Sequence, residues 1–183
     1  MPAIISSMEV VVPEGFRHLY EVTPKRPVVK IPAPVLRESA KPVLKITPRH
    51  RVLAENMVRI MRDAHGIGLA GPQIGIKERI IVISPDHRPS VIFNPEIVER
   101  GGSQVGEEGC LSIPGLYGDV ERSETVVVKG LNRKGDSIKY TLNGLAARVV
   151  QHEIDHLDGI LFIDKADPAT LHWRLPDHEE EIA

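Results

Sequence analysis

Residues 143–159 read NGLAARVVQHEIDHLDG, and within them His152, Glu153 and His156 form the pattern His-Glu-x-x-His. With 8 histidines in 183 residues, chance would produce this spacing only about 0.03 times in a chain of this composition. Asn143 stands where a helix N-cap is wanted, the body runs from Gly144 or Leu145 to about Leu157, and Gly159 is placed to stop it. At about 100° per residue, Leu145, Val149, His152, Glu153 and His156 share one sector of the helix. Val150, Ile154 and Leu157 make a second, apolar sector, while Arg148, Gln151, Asp155 and Asp158 form a polar strip. A helix apolar on two sides is expected inside the domain. Two imidazoles one turn apart with a carboxylate between them are the equipment of a hydrolytic metal site. The bland alternative is a pair of core histidines hydrogen-bonded to their neighbours.

A catalytic site of this kind has three protein ligands and an open position, whereas four protein ligands close a structural site. One metalloprotease pattern continues as His-Glu-x-x-His-x-x-Gly-x-x-His. Gly159 fits it, but the last position is Phe162, so that continuation fails. The chain's one cysteine, Cys110, is then the best candidate for the third ligand, ahead of His65 and His172. Its ordinary fate would be that of a small buried hydrophobe.

The residues around Cys110 speak against that fate. Glu107-Glu108-Gly109-Cys110-Leu111-Ser112 puts two carboxylates directly before the thiol, a costly arrangement for a core position. Gly109 allows backbone or ligand to approach closely. Upstream, Gly66-Ile67-Gly68-Leu69-Ala70-Gly71-Pro72-Gln73 is a small-residue loop without the third glycine and lysine of a phosphate loop, so nucleotide binding is not supported.

Together the three segments resemble the peptide deformylases, whose signature is a Gly-x-Gly-Leu-Ala-Ala-x-Gln loop, a Glu-Gly-Cys-Leu-Ser strand and a Gln-His-Glu-x-Asp-His helix. The resemblance spans roughly Lys30 to Asp164. Gly71 departs from it, standing where the family usually has Ala, and one methyl fewer is expected to loosen the loop.

The resemblance implies the roles. Cys110, His152 and His156 would hold a divalent metal, with a water of lowered pKa in the remaining position. Glu153 would take that water's proton and deliver one to the departing amine. The Gln73 side-chain amide and the Leu111 backbone N–H would donate to the formyl oxygen, each such donor being worth about 2.7–4 kcal/mol. The peptide would lie along a strand edge, contacting Ile67, Gly68 and Gly109 through backbone. Leu145 and Val149 either line a methionine pocket or belong to the core. The donor set by itself points to zinc; the resemblance implies Fe(II), one per chain, with zinc, nickel or cobalt as substitutes. A ferrous thiolate site is oxidation-sensitive and fits a reducing compartment. The expected partners are formyl-methionyl nascent polypeptides at the ribosome, and the expected setting is a bacterial-type cytoplasm, with the chain acting as a monomer.

Composition constrains the rest. A chain of 183 residues, 42% hydrophobic and 26% charged, is long enough to bury a core. A net charge of -2 offers no general attraction to nucleic acid or to an anionic membrane. One cysteine excludes an intrachain disulfide, and no apolar run approaches the roughly 20 residues of a membrane helix.

Residues 1–27 carry Pro13, Pro24 and Pro27 and no helical period, and read as an extension before a single catalytic domain over 28–183. Glu9, Glu14 and Glu21 argue against a transit peptide. Thr47 and Pro48 open a helix expected to run to Ala64 and to be ended by Gly66. Strands are expected at 79–84, 91–94, 125–129 and 137–142, with turns at Gly101-Gly102 and Lys134-Gly135-Asp136. Strands grouped between an early and a late helix predict an α+β fold with largely antiparallel sheets around the metal-binding helix. The acidic tail, Asp177 to Ile182, is expected to be mobile. Two other readings compete: a different metallopeptidase, opposed by Phe162 and the Glu-Gly-Cys-Leu-Ser run, and a non-enzymatic module with a structural metal, opposed by Glu153.

Overall fold

In the computed structural model, which describes residues 9–176, the apolar runs become strands and the two periodic segments become helices. The acidic tail and residues 1–8 lie outside the described residues. In chain order the elements are α1 (Pro48–Asp63), β1 (Gly68–Ala70), β2 (Ile80–Ile83), β3 (Ser90–Gly101), β4 (Gln104–Glu108), β5 (Leu116–Arg122), β6 (Thr125–Leu131), β7 (Ser137–Asn143), α2 (Gly144–Leu157) and β8 (His172–Trp173). Two sheets result, ordered β1-β2-β3-β6-β7 and β4-β5-β8, and every strand pair is antiparallel. The expected α+β architecture is the observed one.

Period-2 alternation in β2 explains how the sheet is covered on both faces. Ile80 and Val82 join α1's Met57 and Met61 in one core. Ile81 and Ile83 turn the other way and pack with Val150 and Ile154 of α2. The site helix therefore lies inside the molecule, buried from Ala147 to Leu157.

Several local expectations need correction. Asn143 sits at the N-cap position, but its side chain does not cap α2; its Oδ1 accepts from Thr125 Oγ1 at 2.8 Å instead. The left-handed residue after α1 is His65, φ 59°, and not Gly66. Gly66 is needed for space, since a Cβ there would stand 2.7 Å from Leu111 Cδ1. The expected Glu-Gly-Cys-Leu-Ser strand stops at Glu108, and Cys110 opens a turn closed by Ile113 N–H to Cys110 O at 2.9 Å. The Gly68–Ala70 part of the small-residue loop is itself a strand. In the extension, Glu14–Tyr20 forms a 3-10 turn that sets Phe16 5.0 Å from Trp173, centroid to centroid.

Candidate metal centre

Two chain segments converge on the site. The helix α2 presents His152 and His156 from successive turns, their ring centroids 5.0 Å apart. The turn after β4 brings in Cys110, whose Sγ lies 3.4 Å from His156 Nε2. Ligand atoms of Cys110, His152 and His156 all fall within 4.8 Å of one another, and all three side chains are buried. His65 and His172 are not members of this cluster. Phe162, where a protease-like continuation would put a histidine, stacks on His152 at 6.3 Å with planes 20° apart.

The donor chemistry fits a metal ion. Glu108 Oε2 lies 2.9 Å from His152 Nδ1, so that nitrogen carries the proton and Nε2 presents its lone pair. His152 Nε2 is buried with no hydrogen-bond partner, as are both carboxylate oxygens of Glu153. A buried imidazole nitrogen without a partner is expensive, and a cation held by Cys110, His152 and His156 would satisfy it.

Glu153 has no exposure at all. Burial pushes its carboxyl well above the ordinary carboxylate range in the metal-free protein, and the negative charges of Glu108 and Asp155 push the same way against Arg122. Its room comes from Gly68 on β1, where a Cβ would collide with Oε1 and stand 2.8 Å from Cδ. Gln73, also fully buried, is oriented by its own backbone: Oε1 accepts from Ala70 N–H at 2.9 Å. The amide nitrogen is thereby turned to Cys110 Sγ at 3.7 Å and Ser112 Oγ at 3.2 Å. At Gly71 a Cβ would meet Glu78 O at 2.7 Å and Ile76 O at 2.9 Å, so the missing methyl tightens this turn instead of loosening it.

The other expected contact residues divide. Ile67 is buried, Gly68 lies on edge strand β1, and Gly109 packs so closely that a Cβ would stand 2.8 Å from the Tyr117 ring. Leu111 is buried against the α1 core. Leu145 is 48% exposed, whereas Val149 is fully buried in the core that α2 shares with the larger sheet.

Sequence reasoning passed over the groups that hold the histidine in place. Glu108 accepts from Arg122 Nε and Nη2, each at 2.9 Å, and from Arg148 Nη1 at 2.8 Å. Arg122 also binds Asp155, which in turn accepts from Lys165 Nζ at 2.8 Å. Burial raises Glu108's pKa, but the hydrogen bonds and charges of Arg122 and His152 outweigh it and hold the carboxyl well below its usual range. The same pairing raises Arg122 against its own desolvation. The signal was the polar strip of α2: on a helix with no exposed side, Arg148, Gln151 and Asp155 had to find buried partners.

A buried thiol and two imidazoles on a helix, with a carboxylate adjoining one ligand, define the chain as a metal-dependent hydrolase by class. The sequence model of the family described as Polypeptide deformylase matches residues 25–171. The peptide deformylase of Desulforudis audaxviator is 50% identical over 141 residues, covering 76% of this chain and 92% of that one. The peptide deformylase of Carboxydothermus hydrogenoformans is 51% identical over 140 residues, with the same two coverages. The crystal structure of peptide deformylase from Thermotoga maritima superposes with a TM-score of 0.75 at 42% identity, covering 77% of this chain and 97% of that one. The chain belongs to the peptide deformylase family, enzymes that remove the N-formyl group from nascent peptides.

Among the described residues, no helix is long and apolar enough to cross a membrane.

Proposed function

We propose that Cys110, His152 and His156 hold a divalent ion and that Glu153 moves the protons of a hydrolysis releasing formate from N-terminal formylmethionine. The observation that carries this reading is a partnerless, fully buried Glu153 carboxylate one residue from a ligand in a Cys/His/His cluster. When bound, the ion would supply Lewis acidity and lower the pKa of the attacking water. Glu153 would take a proton from the attacking water and return one to the departing amine. Gln73 offers its amide N–H because Oε1 is already engaged by Ala70. With the Leu111 backbone N–H it stabilises the formyl oxygen as negative charge develops.

The peptide would lie along the exposed strand edges near these residues, β1 and β4 both being edge strands. Ile67, Gly68 and Gly109 supply backbone contacts there, in the manner of strand addition. Leu145, half exposed at the start of α2, would wall the methionine side chain, with the fully buried Val149 in the core behind it. Residues 28–183 are read as one catalytic domain, preceded by an extension over 1–27; the match over 25–171 supports that division. The ion is assigned as Fe(II), following the family resemblance, with zinc, nickel and cobalt as replacements. The setting is cytoplasmic, and the chain works as a monomer on nascent chains at the ribosome.

The test is formate release from a formyl-Met peptide, under anaerobic conditions with added Fe(II). Formate is expected from the formyl substrate and no cleavage from an N-acetyl-Met control. Equal cleavage of both would make the protein a general amide hydrolase. Actinonin, present in the structure of a Synechococcus elongatus deformylase 40% identical to this chain with a TM-score of 0.77, is expected to compete with the peptide.

A further inference from the structure

The two halves of the metal centre come from different segments, and one buried carboxylate ties them together. Glu108 precedes Cys110 by two residues and ends β4. From α2, two side chains one helical turn apart reach this carboxylate: Arg148 Nη1 at Oε1, 2.8 Å, and His152 Nδ1 at Oε2, 2.9 Å. Arg148 is 4% exposed, and its remaining contacts run along the smaller sheet. Nη1 also reaches Val120 O at 2.9 Å and Gly106 O at 3.4 Å, and Nη2 reaches Gln104 O at 3.3 Å. Residue 106 is a glycine, and a Cβ there would stand 3.1 Å from Nη2, closer than an ordinary contact.

A planar guanidinium fixed at several acceptors is a stiffer link than a single ion pair. Arg122 also grips Glu108, from β5 in the same sheet, and its other amino group reaches α2 through the Asp155 carboxylate. Arg148 is itself part of α2, one turn before His152, and ties that helix directly to the carboxylate and to the backbone of β4 and β5, whereas Arg122 is joined to the helix only through Asp155. We infer that Arg148 is a positioning residue that sets the spacing between Cys110 and the histidine pair before a metal ion binds. The inference rests on the ligand assignment proposed above. Groups that orient a metal ligand through its second nitrogen, as Glu108 does for His152, commonly govern affinity by about 10–100-fold, and Arg148 acts through that carboxylate.

The experiment measures zinc affinity by chelator competition, together with thermal unfolding of the metal-free protein. Arg148→Met fills the volume and removes every donor; zinc affinity is expected to fall about 10–100-fold. Arg148→Lys keeps the charge and one donor for Glu108 but loses the fixed fork to the strand carbonyls, and is expected to fall between wild type and Arg148→Met. Cobalt-loaded Arg148→Met should also show shifted visible bands, reporting altered ligand geometry. Wild-type affinity in Arg148→Met overturns the inference, as does a lysine variant as weak as the methionine one, which would place the effect in packing. Failure of Arg148→Met and Arg148→Gln to fold with saturating metal also overturns it, by making the residue a determinant of the fold. Cys110→Ala is the control: if it binds zinc as wild type does, the ligand assignment has failed and not the role of Arg148.

Discussion

Gly68 and Glu153 share a space that only one of them can fill. A side chain on residue 68 would begin 2.8 Å from Glu153 Cδ, so β1 approaches α2 only because residue 68 ends at its Cα. Gly68→Ala is therefore expected to leave the three ligands intact and displace the carboxylate. A misplacement of about 1 Å in a reacting group costs on the order of 10²-fold. Turnover of a formyl-Met peptide should fall by that order with metal content unchanged; turnover near wild type would show that Glu153 tolerates displacement.

Cys110→Ala removes the one proposed ligand that does not come from α2. Two imidazoles on a single helix remain, and metal occupancy should drop well below one ion per chain. Elemental analysis after dialysis checks this, and full occupancy would move the third ligand elsewhere.

The metal-free protein should be more stable when Glu153 is made neutral. Its carboxyl pKa is raised on folding above 4.5, so the folded state binds the proton more tightly than the unfolded chain does. Above pH 4.5 that difference costs stability, and the cost grows until the pH reaches the folded value. Glu153→Gln removes it. The variant should melt higher than wild type at neutral pH, and the gap should close as the pH falls below 4.5. An unchanged or lower melting temperature at pH 7 would contradict the assignment.

Glu108 has the opposite sign. Its pKa is depressed on folding, so its contribution is complete above 4.5 and is lost as the pH falls towards the folded value. Glu108→Gln leaves Arg122 and Arg148 buried with a weaker acceptor, and breaking such a pair costs about 3–5 kcal/mol. Denaturant unfolding at pH 7 should show that loss, and the variant's acid limb should be shallower than wild type's. Equal limbs would mean that other carboxylates carry the acid sensitivity.

How much of this was legible in the sequence varied with how local the signal was. The helix bearing His152 and His156 was readable because a 3.6-residue period and a rare spacing coincide within 14 residues. The Ile-Ile-Val-Ile run gave β2 for a similar reason, as β-branched residues buried on both faces. Strands β4 and β5 escaped: QVGEE and LYGDVER are held by buried charges as much as by apolar alternation. The carboxylate at Glu108 stood out as costly, but its partners are 14 and 40 residues away at Arg122 and Arg148. No periodicity joins such distant positions. The end of α1 was misread because the left-handed site fell on His65, while the adjacent glycine serves packing against Leu111.

The most direct test of the account is the Glu153→Ala variant, loaded anaerobically with Fe(II) and assayed for formate release alongside its metal content. Retention of one ion per chain with turnover reduced by orders of magnitude is the predicted result, since all three ligands remain and proton transfer is lost. Wild-type turnover by a fully loaded Glu153→Ala would contradict it.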